Sequence, residues 1–273
     1  KFDMRDQDDF QEFNEWHQAY SGSVDIDKAY LRFKCIEGFK GKLDHLDDET
    51  RMEYWERVKV ELGVLEEKDF SSYMLIVADY INWAKDKMPV GPARGSSAGS
   101  LVAYLTGITS IDPIKYDLIF ERFHNNQKES FPDIDTDFSR PGLVKEYIRD
   151  RYGEDRVASI SNWSTLSPKV IIKDVARSLR IGGDKSAAFK IATGITDSMG
   201  DEKTVEKERK KNKIFDRHMA NNPELFLYAS KLQNLTRNWS VHAAGVVIGE
   251  EPLSRIIPLR IEQKKDSADI AKN

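Results

Sequence analysis

The chain has 273 residues, of which 40% are hydrophobic and 32% charged, as is typical of a globular protein with a buried core. No apolar run approaches the roughly 18 residues that a membrane helix needs. The single cysteine, Cys35, excludes an internal disulfide and a cysteine-based zinc site, and we expect it to be a buried structural thiol. Because the sequence begins at Lys1 without a signal-like segment, we expect part of a longer, cytoplasmic chain.

The first part of the chain is predicted to be mainly helical. Apolar residues recur at three- and four-residue steps in 51–68 and 73–87, which predicts two amphipathic helices. Residues 1–50 are acidic and aromatic without a clear period, so no element is predicted there. The remaining elements are predicted as a helix at 101–105, a strand at 131–138, a helix at 143–151 and a strand at 156–160.

A loop of small residues from Gly91 to Ser100 lies between two of these helices and contains one arginine, Arg94. Glycine allows backbone N–H groups to come close to a phosphate chain. The loop leads into the N-terminus of the helix at 101–105, where free N–H groups and the helix dipole both favour an anion. The loop is therefore a candidate phosphate-binding segment.

Three aspartates, Asp133, Asp135 and Asp137, occupy alternate positions in the strand predicted after the loop. Side chains of a strand alternate between its faces, so the three carboxylates are predicted to point the same way. Like charges this close repel unless a cation lies between them, and carboxylate oxygens are ligands that Mg²⁺ prefers. Together with the loop they predict metal-dependent phosphoryl or nucleotidyl transfer. The apolar partners in the strand are taken to be Phe131, Ile134 and Phe138.

A second domain is predicted to start near residue 165. Ser167 and Pro168 fit the N-cap and the first position of a helix. From there to about residue 234 the pattern is helical, and a strand at 243–248 is predicted to return to the first domain. Breaks between helices are expected at 182–183, 194 and 221–223.

The formal net charge of −4 is unevenly divided along the chain. Residues 165–242 contain 15 Lys and Arg against 9 Asp and Glu, whereas the rest contains 27 against 37. Lys169 and Lys173 lie four residues apart and hence on one helix face. The densest basic cluster, 207–213, is by itself typical of a solvated helix face, but beside a phosphate site it favours contact with a nucleic-acid backbone.

Other motifs resemble these segments but lack a necessary part. A calcium loop of the EF-hand type needs glycine and glutamate where this chain has Phe138 and Val144. Walker A fails because no Lys-Ser/Thr pair follows the second glycine. Gly95–Gly99 matches a Gly-x-Ser-x-Gly nucleophile elbow with Ser97 at its centre, but 88–92 cannot form the preceding apolar strand. A solvent-facing acidic edge strand is the structural alternative for the aspartates.

Several segments in the same order resemble the palm of C-family replicative polymerases, the alpha subunits of bacterial DNA polymerase III. The resemblance extends from about Arg51 to Arg260 and is weak outside this range. Ordered long motifs of this kind are far more specific than any one short pattern. The segments that carry it include Gly91–Ser100, Ser100–Tyr104, Ile111–Pro113, Ile119–Phe123, Pro132–Asp137, Thr236–Asn238 and His242–Val247.

The resemblance implies an α+β fold with a polymerase-beta-like nucleotidyltransferase palm, a mixed sheet with helices, and an inserted helical thumb. The palm would comprise 1–164 and a truncated second part at 243–273, and the thumb 165–242. The implied function is that of a DNA-directed DNA polymerase, which adds deoxynucleotides to a primer 3′ end with two Mg²⁺ ions. The implied partners are primer-template DNA, deoxynucleoside triphosphates, the rest of the polymerase chain, a sliding clamp and other replisome subunits, but no membrane.

The resemblance also implies roles for particular residues. Asp133 and Asp135 would be the catalytic metal ligands. The resemblance gives no metal role to Asp137, which we expect to orient its neighbours. The triphosphate would be bound by Arg94, Gly95, Ser96 and Arg122. A surface ion pair with Glu121 is the structural alternative for Arg122. The residues expected to contact DNA phosphates are Lys169, Lys173, Lys210, Lys211 and Lys213.

The family carries a third catalytic aspartate in a Lys-x-Asp-Phe-Leu-Gly setting, which these 273 residues do not contain. Asp266 and Asp269 lack that setting, so the resemblance implies that the chain alone is inactive in synthesis. A non-catalytic module that binds primer-template DNA is therefore an alternative function, and a serine hydrolase using Ser97 is a remote one. Gel shifts with and without Mg²⁺, beside primer extension, separate the first two, and a serine-directed probe tests the third.

Overall fold

The computed structural model describes residues 9–20, 25–125 and 127–261. Two compact units are present: one contains the described residues up to Ala158 and from Ile248 onwards, and the other is Ser159–Val247. Among the helices of the described ranges, none is long and apolar enough to cross a membrane.

The first unit consists mostly of helices, and the two predicted at 51–68 and 73–87 are confirmed. The first of them begins where the Asp47 carboxylate accepts a hydrogen bond from the Thr50 N–H group at 2.9 Å, an N-cap. The helices of this unit are α1 (Phe10–Tyr20), α2 (Ile26–Leu43), α3 (Asp48–Glu67), α4 (Ser71–Lys87), α5 (Leu101–Leu105), α6 (Phe120–Phe123) and α7 (Pro141–Tyr152). Two 3₁₀ helices lie at Gly95–Gly99 and Leu253–Arg255.

Helix α2 lies in the core and was not predicted from the sequence. Its buried residues include Tyr30, Leu31, Phe33 and Cys35, which do not fall on a single stripe of the helix. A helix that is buried around most of its circumference has no amphipathic period to detect. Cys35 is fully buried as expected, and burial raises the pKa of its thiol.

Two long strands, β1 (Val157–Thr165) and β2 (Thr236–Ile248), pair to form the only sheet among the described residues. They are antiparallel, because Leu166 N–H donates to Leu235 C=O at 3.0 Å and Gly249 N–H donates to Arg156 C=O at 2.9 Å. The boundaries between the two units fall within these strands. The α+β character is thus confirmed, while a larger mixed sheet stays a prediction.

The second unit contains five helices between its strands. They are α8 (Pro168–Leu179), α9 (Lys185–Asp197), α10 (Val205–Lys211), α11 (Lys213–Asn221) and α12 (Pro223–Leu232). Its core includes Ile171, Ile172, Ile195, Phe215 and Leu225. The expected breaks at 182–183 and 221–223 are confirmed, the first by two glycines with positive φ.

For the second unit, one prediction was wrong, and one strand was confirmed but is longer than predicted. Gly194 does not break a helix but lies inside α9, where buried Ala192 and Ile195 stabilise the helix against a glycine cost of about 1 kcal/mol. The strand predicted at 243–248 begins seven residues earlier, at Thr236. Its first residues are mostly polar and exposed, so they do not extend the apolar run on which the prediction depended.

Candidate functional site

The glycine loop and the aspartate segment are joined by backbone contacts. Val90 and Phe138 form an isolated antiparallel bridge, and Gly91 N–H donates to Asp137 C=O at 2.8 Å. A Cβ atom at Gly91 would lie 3.3 Å from the Asp137 Cβ, so a side chain there would crowd the aspartate. Two segments that are separated by about forty residues of sequence therefore lie side by side.

The predicted strand at 131–138 was wrong, although the aspartates share one side as expected. The segment is extended, but Phe138 is its only bridged residue, so it belongs to no sheet. Asp133, Asp135 and Asp137 are exposed, while Ile134 and Phe138 pack against the core. Alternation of side chains requires only an extended backbone, whereas a strand also needs a neighbour along its whole length.

Phe131 and Tyr73 flank the aspartates. Tyr73 was given no role from the sequence, and Phe131 was expected only to be an apolar partner in the strand. The Phe131 ring is 64% exposed rather than an apolar partner in the core, and its centroid lies 5.3 Å from that of Tyr73. Tyr73 donates a hydrogen bond to Pro132 C=O at 2.7 Å, which anchors the segment. Burial, together with the charges of Asp133 and Asp135, raises the pKa of Tyr73 to about 12. The only sequence signal for this contact is an aromatic residue in α4, which does not identify its partner.

Arg94 extends from the loop to two of the aspartates. Its Nη1 atom is 3.0 Å from Asp137 Oδ1, and its Nε atom is 4.0 Å from Asp135 Oδ2. The side chains of Arg94 and Asp137 are 60% and 67% exposed, so water screens the pair and it contributes about 1 kcal/mol or less. Arg94 can therefore leave Asp137 for a more highly charged anion with little loss of free energy.

The loop turns into the 3₁₀ helix at Gly95, whose φ of +66° favours glycine over any residue with a side chain. The N–H groups of Gly95 and Ser96 lie in the first turn, where a helix leaves its donors without internal acceptors. Ser97 is only 1% exposed, and its hydroxyl donates to Arg94 C=O at 2.8 Å. A serine held in this way is poorly placed for nucleophilic attack.

The N-terminus of α5, where the loop ends, is occupied by a carboxylate of the protein itself. Glu61 from α3 is fully buried and accepts hydrogen bonds from Leu101 N–H and Val102 N–H, both at 3.0 Å, and from Ser100 Oγ at 2.9 Å. Burial raises the pKa of Glu61, while these bonds and Arg57, 2.7 Å away, oppose the shift. An anion does occupy this helix N-terminus, but it is a carboxylate of the chain itself, so the α5 N–H groups are not free for the predicted phosphate.

Arg122 is held near the loop by a close contact between backbones. A Cβ atom at Gly99 would lie 2.7 Å from Ile119 C=O, so glycine is needed where α6 meets the 3₁₀ helix. Arg57 Nη2 reinforces this junction by donating to Gly99 C=O at 3.0 Å and to Leu118 C=O at 3.1 Å. Arg122 is exposed on α6 and forms no salt bridge within the described ranges, so the surface pair with Glu121 is not formed.

The aspartates supply the kind of ligand that a magnesium ion prefers, but too few of them to hold the ion by themselves. Asp133 and Asp135 provide exposed carboxylate oxygens, and Mg²⁺ in proteins is often held by one or two carboxylates with water and substrate phosphates. In the part of the chain that the structure describes, no group of three or more His, Cys, Asp or Glu residues is arranged to hold a metal. Asp266 and Asp269 lie outside that part.

The lysines predicted to contact DNA differ in their surroundings. Lys211 pairs with Glu202, which raises the pKa of the lysine, and Lys169 lies 3.9 Å from Asp201. No salt bridge involves the other three within the described residues, so their charges remain available to an anion. These three are Lys173, Lys210 and Lys213.

The C-terminal end of α10, which carries Lys210 and Lys211, is held in place by a buried carboxylate, Glu208. It accepts hydrogen bonds from Gly200 N–H and from Asn212 Nδ2, both at 2.8 Å. Asn212 in turn caps α11 by accepting from Ile214 N–H and Phe215 N–H, both at 3.1 Å. Lys210, Lys211 and Lys213 therefore lie beside a turn that is held by these buried hydrogen bonds.

Comparison with known proteins shows the family to which this chain belongs. Residues 29–272 match the family model of the bacterial DNA polymerase III alpha NTPase domain, and the chain belongs to that family. It is 38% identical over 268 residues to the DNA polymerase III subunit alpha of Aquifex aeolicus, which covers 88% of this chain and 23% of that protein.

Further relatives carry the same description. The chain is 41% identical over 249 residues to the DNA polymerase III subunit alpha of Campylobacter jejuni, covering 89% of this chain and 20% of the relative. It is 42% identical over 239 residues to that of Ureaplasma parvum, covering 86% and 24%. The chain thus spans about a fifth to a quarter of the length of these relatives.

Proposed function

We propose that this chain forms the nucleotide-binding part of the active site of a bacterial replicative DNA polymerase. The observation that carries the proposal is the pairing of the glycine loop with the aspartate segment through the Gly91–Asp137 hydrogen bond and the Arg94–Asp137 contact. This arrangement brings phosphate-binding donors beside carboxylate oxygens. Nucleotidyl transfer needs both, because the triphosphate and the ion that neutralises it must be bound together.

In this proposal the incoming triphosphate lies along the start of the 3₁₀ helix. The N–H groups of Gly95 and Ser96 donate to its β- and γ-phosphates, and Arg122 approaches from α6. Arg94 leaves Asp137 for the triphosphate, because a guanidinium forms stronger paired hydrogen bonds with a multiply charged phosphate than with an exposed carboxylate. Asp137 then keeps its structural role through its backbone bond to Gly91.

Asp133 and Asp135 would hold the divalent cation, with water and phosphate oxygens completing its shell. When bound, the ion supplies positive charge at the transferring phosphate and lowers the pKa of the attacking hydroxyl. Tyr73 and the packed Ile134 keep the segment extended, so that both carboxylates face the same side. The resemblance implies a third catalytic aspartate whose motif these 273 residues do not contain, and we propose that the chain alone binds nucleotide but does not extend a primer.

We also propose that 1–164 and 243–273 belong to the palm and 165–242 to the thumb of the complete polymerase. The surplus of Lys and Arg in 165–242 supports a role in binding the phosphates of primer-template DNA. The sites for a sliding clamp and other replisome subunits would lie on the rest of the polymerase, in the bacterial cytoplasm.

Replacement of Asp133 or Asp135 by Asn in the complete polymerase chain tests the proposal. The charge is lost while the shape is kept, so single-turnover incorporation should fall by about three orders of magnitude or more while DNA binding is retained. Asp150→Asn, an exposed aspartate on α7, is the matched control and should retain activity. Incorporation at a near-normal rate by Asp135→Asn would contradict the proposed role.

The alternative is a module that binds primer-template DNA without taking part in catalysis. The sparse set of metal ligands among the described residues is the observation that favours it. In that case both Asp→Asn variants of the complete polymerase would incorporate nucleotides normally, while alanine at Lys173, Lys210 and Lys213 would still weaken DNA binding.

A further inference from the structure

A second basic site lies in the first unit, in a cavity of about 490 Å³. It is formed by α2, α4 and the turn that follows α5. None of its lining residues belongs to the glycine loop or to the aspartate segment. The residues of the lining that matter for its chemistry are Lys42, Lys85, Tyr104, Thr109 and Ser110.

The cavity depends on two glycines that allow the end of α5 to approach its neighbours. A Cβ atom at Gly38 of α2 would lie 2.1 Å from Leu105 C=O, so no larger residue fits there. Gly107 has a φ of +82°, and a Cβ atom on it would lie 2.4 Å from Asn82 Oδ1 of α4. The C-terminal turn of α5 is therefore fixed between two helices, and the cavity opens at this junction.

Two ammonium groups in this cavity have no negative partner. Neither Lys42 nor Lys85 lies within salt-bridge distance of a carboxylate in the described part of the chain. The other charged groups of the lining are already paired, Lys34 with Asp9 and Glu37 with Lys40, both at 2.8 Å. Burial and the charge of Lys85 lower the pKa of Lys42 to about 8, and burial lowers that of Lys85.

The donors of these lysines are only partly used. Lys42 donates to Tyr104 C=O, and Lys85 donates to Gly107 C=O and lies 3.5 Å from Ser110 Oγ. An ammonium has three N–H donors, so each lysine can still donate to a ligand. The buried hydroxyl of Thr109 has no hydrogen-bond partner within the described residues.

Capping of α5 does not explain this arrangement by itself. Cations at the C-terminus of a helix are favourable, but the partial charge there is about half an elementary charge, and α5 is a single short turn. Two full charges that repel each other exceed what those carbonyls can balance. An anion between them would relieve the repulsion and would accept the unused hydrogen bonds.

We propose that this cavity binds a phosphate group, held by Lys42, Lys85 and the Thr109 hydroxyl. A phosphate matches because it is acceptor-rich and carries close to two negative charges near neutral pH, one for each lysine. The volume of about 490 Å³ also leaves room for a small molecule that carries the group. The site is separate from the triphosphate site proposed above and does not depend on it.

Calorimetric titration of the 273-residue chain with inorganic phosphate, pyrophosphate and adenosine monophosphate tests the proposal. At least one of the three should bind, and their ranking distinguishes free phosphate from phosphate on a nucleoside. Lys42→Met and Lys85→Met should each weaken that binding at least tenfold, and Thr109→Val, which is nearly isosteric, should weaken it severalfold. Lys59→Met, an exposed lysine on α3, is the matched control and should bind like the unaltered chain.

Each outcome of this experiment bears on the proposal. Methionine removes one of two repelling charges, so the lysine variants should fold at least as stably as the control, which thermal melting checks. Equal binding by the unaltered chain and by folded Lys85→Met would overturn the proposal, as would no binding of any probe at millimolar concentration. Binding of duplex DNA to this cavity, lost in both lysine variants while the small probes do not bind, would assign these lysines to a DNA contact and would overturn it too.

Discussion

The glycine loop with its aspartates and the basic helices of the second unit handle charge in opposite ways. At the end of the loop a charged group is fixed by buried hydrogen bonds, since Glu61 is bound by two backbone N–H groups and Arg57. On the basic helices most lysines stand in solvent, and their pairing is loose or missing, as for Lys210. The nucleotidyl transfer proposed for the loop requires reacting groups that are positioned to within fractions of an ångström. The DNA binding proposed for the basic helices requires only positive charge on a surface.

The comparison predicts that the largest effect on stability comes from the buried carboxylate. Glu61→Gln keeps the shape of the side chain but leaves Arg57 without its counter-ion, so the free energy of unfolding should fall by about 3 kcal/mol. Urea denaturation of the 273-residue chain measures it. Glu56→Gln, on the same helix and paired with Lys59 in solvent, should change it by less than about 0.5 kcal/mol. Equal effects of the two variants would contradict the distinction between fixed and loose charges.

A smaller effect is expected at Arg94. Arg94→Gln removes charged hydrogen bonds to the triphosphate that contribute about 2 kcal/mol, so deoxynucleoside triphosphate binding should weaken by about 10- to 100-fold. Asp137→Asn should leave binding unchanged or strengthen it, because Arg94 is then released from its carboxylate partner. Titration calorimetry compares both with Arg149→Gln, an exposed arginine on α7. If Asp137→Asn binds nucleotide as weakly as Arg94→Gln, the proposed exchange of partners is wrong.

Much of this fixed site could not be predicted from the sequence. Helices α3 and α4 were predicted because each presents one apolar stripe, whereas α2 was missed because it is buried around most of its circumference. Glu61 gave no signal, since its hydrogen-bond partners lie forty residues further along the chain. The sharing of one side by the aspartates was predicted correctly, because it depends only on local backbone conformation.

The basic helices were easier to recognise from the sequence, but the strand beside them and the pairing of their lysines were not. Composition alone identified the segment, while the first part of the strand that begins at Thr236 was missed because its residues are mostly polar and exposed. Nor does the sequence indicate which lysines are paired: Lys211 meets Glu202 only because the turn before α10 folds back on it. Long-range partners of this kind are decided by tertiary packing rather than by local pattern.

At the basic cluster, residues 207–213, we expect an effect of intermediate size on the salt dependence of DNA binding. Each phosphate contact contributes about −0.9 to the slope of log K against log salt. If Lys210 and Lys213 contact DNA while Lys211 remains paired with Glu202, alanine at all three should flatten the slope by about 1.8 rather than 2.7. Fluorescence anisotropy with duplex DNA over a series of salt concentrations measures it.

Two results would change this interpretation of the cluster. Lys211→Ala alone should leave the slope of log K against log salt nearly unchanged. A slope that becomes flatter by about 0.9 would show that Lys211 leaves Glu202 to contact DNA. An unchanged slope for the triple variant would assign the whole cluster to a solvated surface.

The smallest effect that we expect is on the pH dependence of the stability of the first unit. His124 is fully buried and both of its ring nitrogens lack partners within the described residues, and burial with the nearby Lys128 and Lys68 lowers its pKa. The unfolded chain then binds a proton near pH 6.5 that the folded chain does not bind, so stability falls as the pH drops below 6.5. His124→Leu should remove this part of the acid sensitivity in urea denaturation at pH 7.5 and 5.5, whereas His45→Leu, at an exposed position, should not. The same loss of stability in His124→Leu as in the unaltered chain would exclude His124 as its source.

The central claim is that the glycine loop and the aspartates bind one metal–triphosphate complex. Paramagnetic Mn²⁺ in place of Mg²⁺ tests it directly, because the ion broadens the amide signals of nearby residues in the NMR spectrum of the 273-residue chain. In the presence of a deoxynucleoside triphosphate we predict strong broadening at Gly95, Ser96 and the segment 133–137, and its loss in Asp135→Asn but not in Asp150→Asn. Broadening that spares Gly95 and Ser96, or that survives unchanged in Asp135→Asn, would contradict the account.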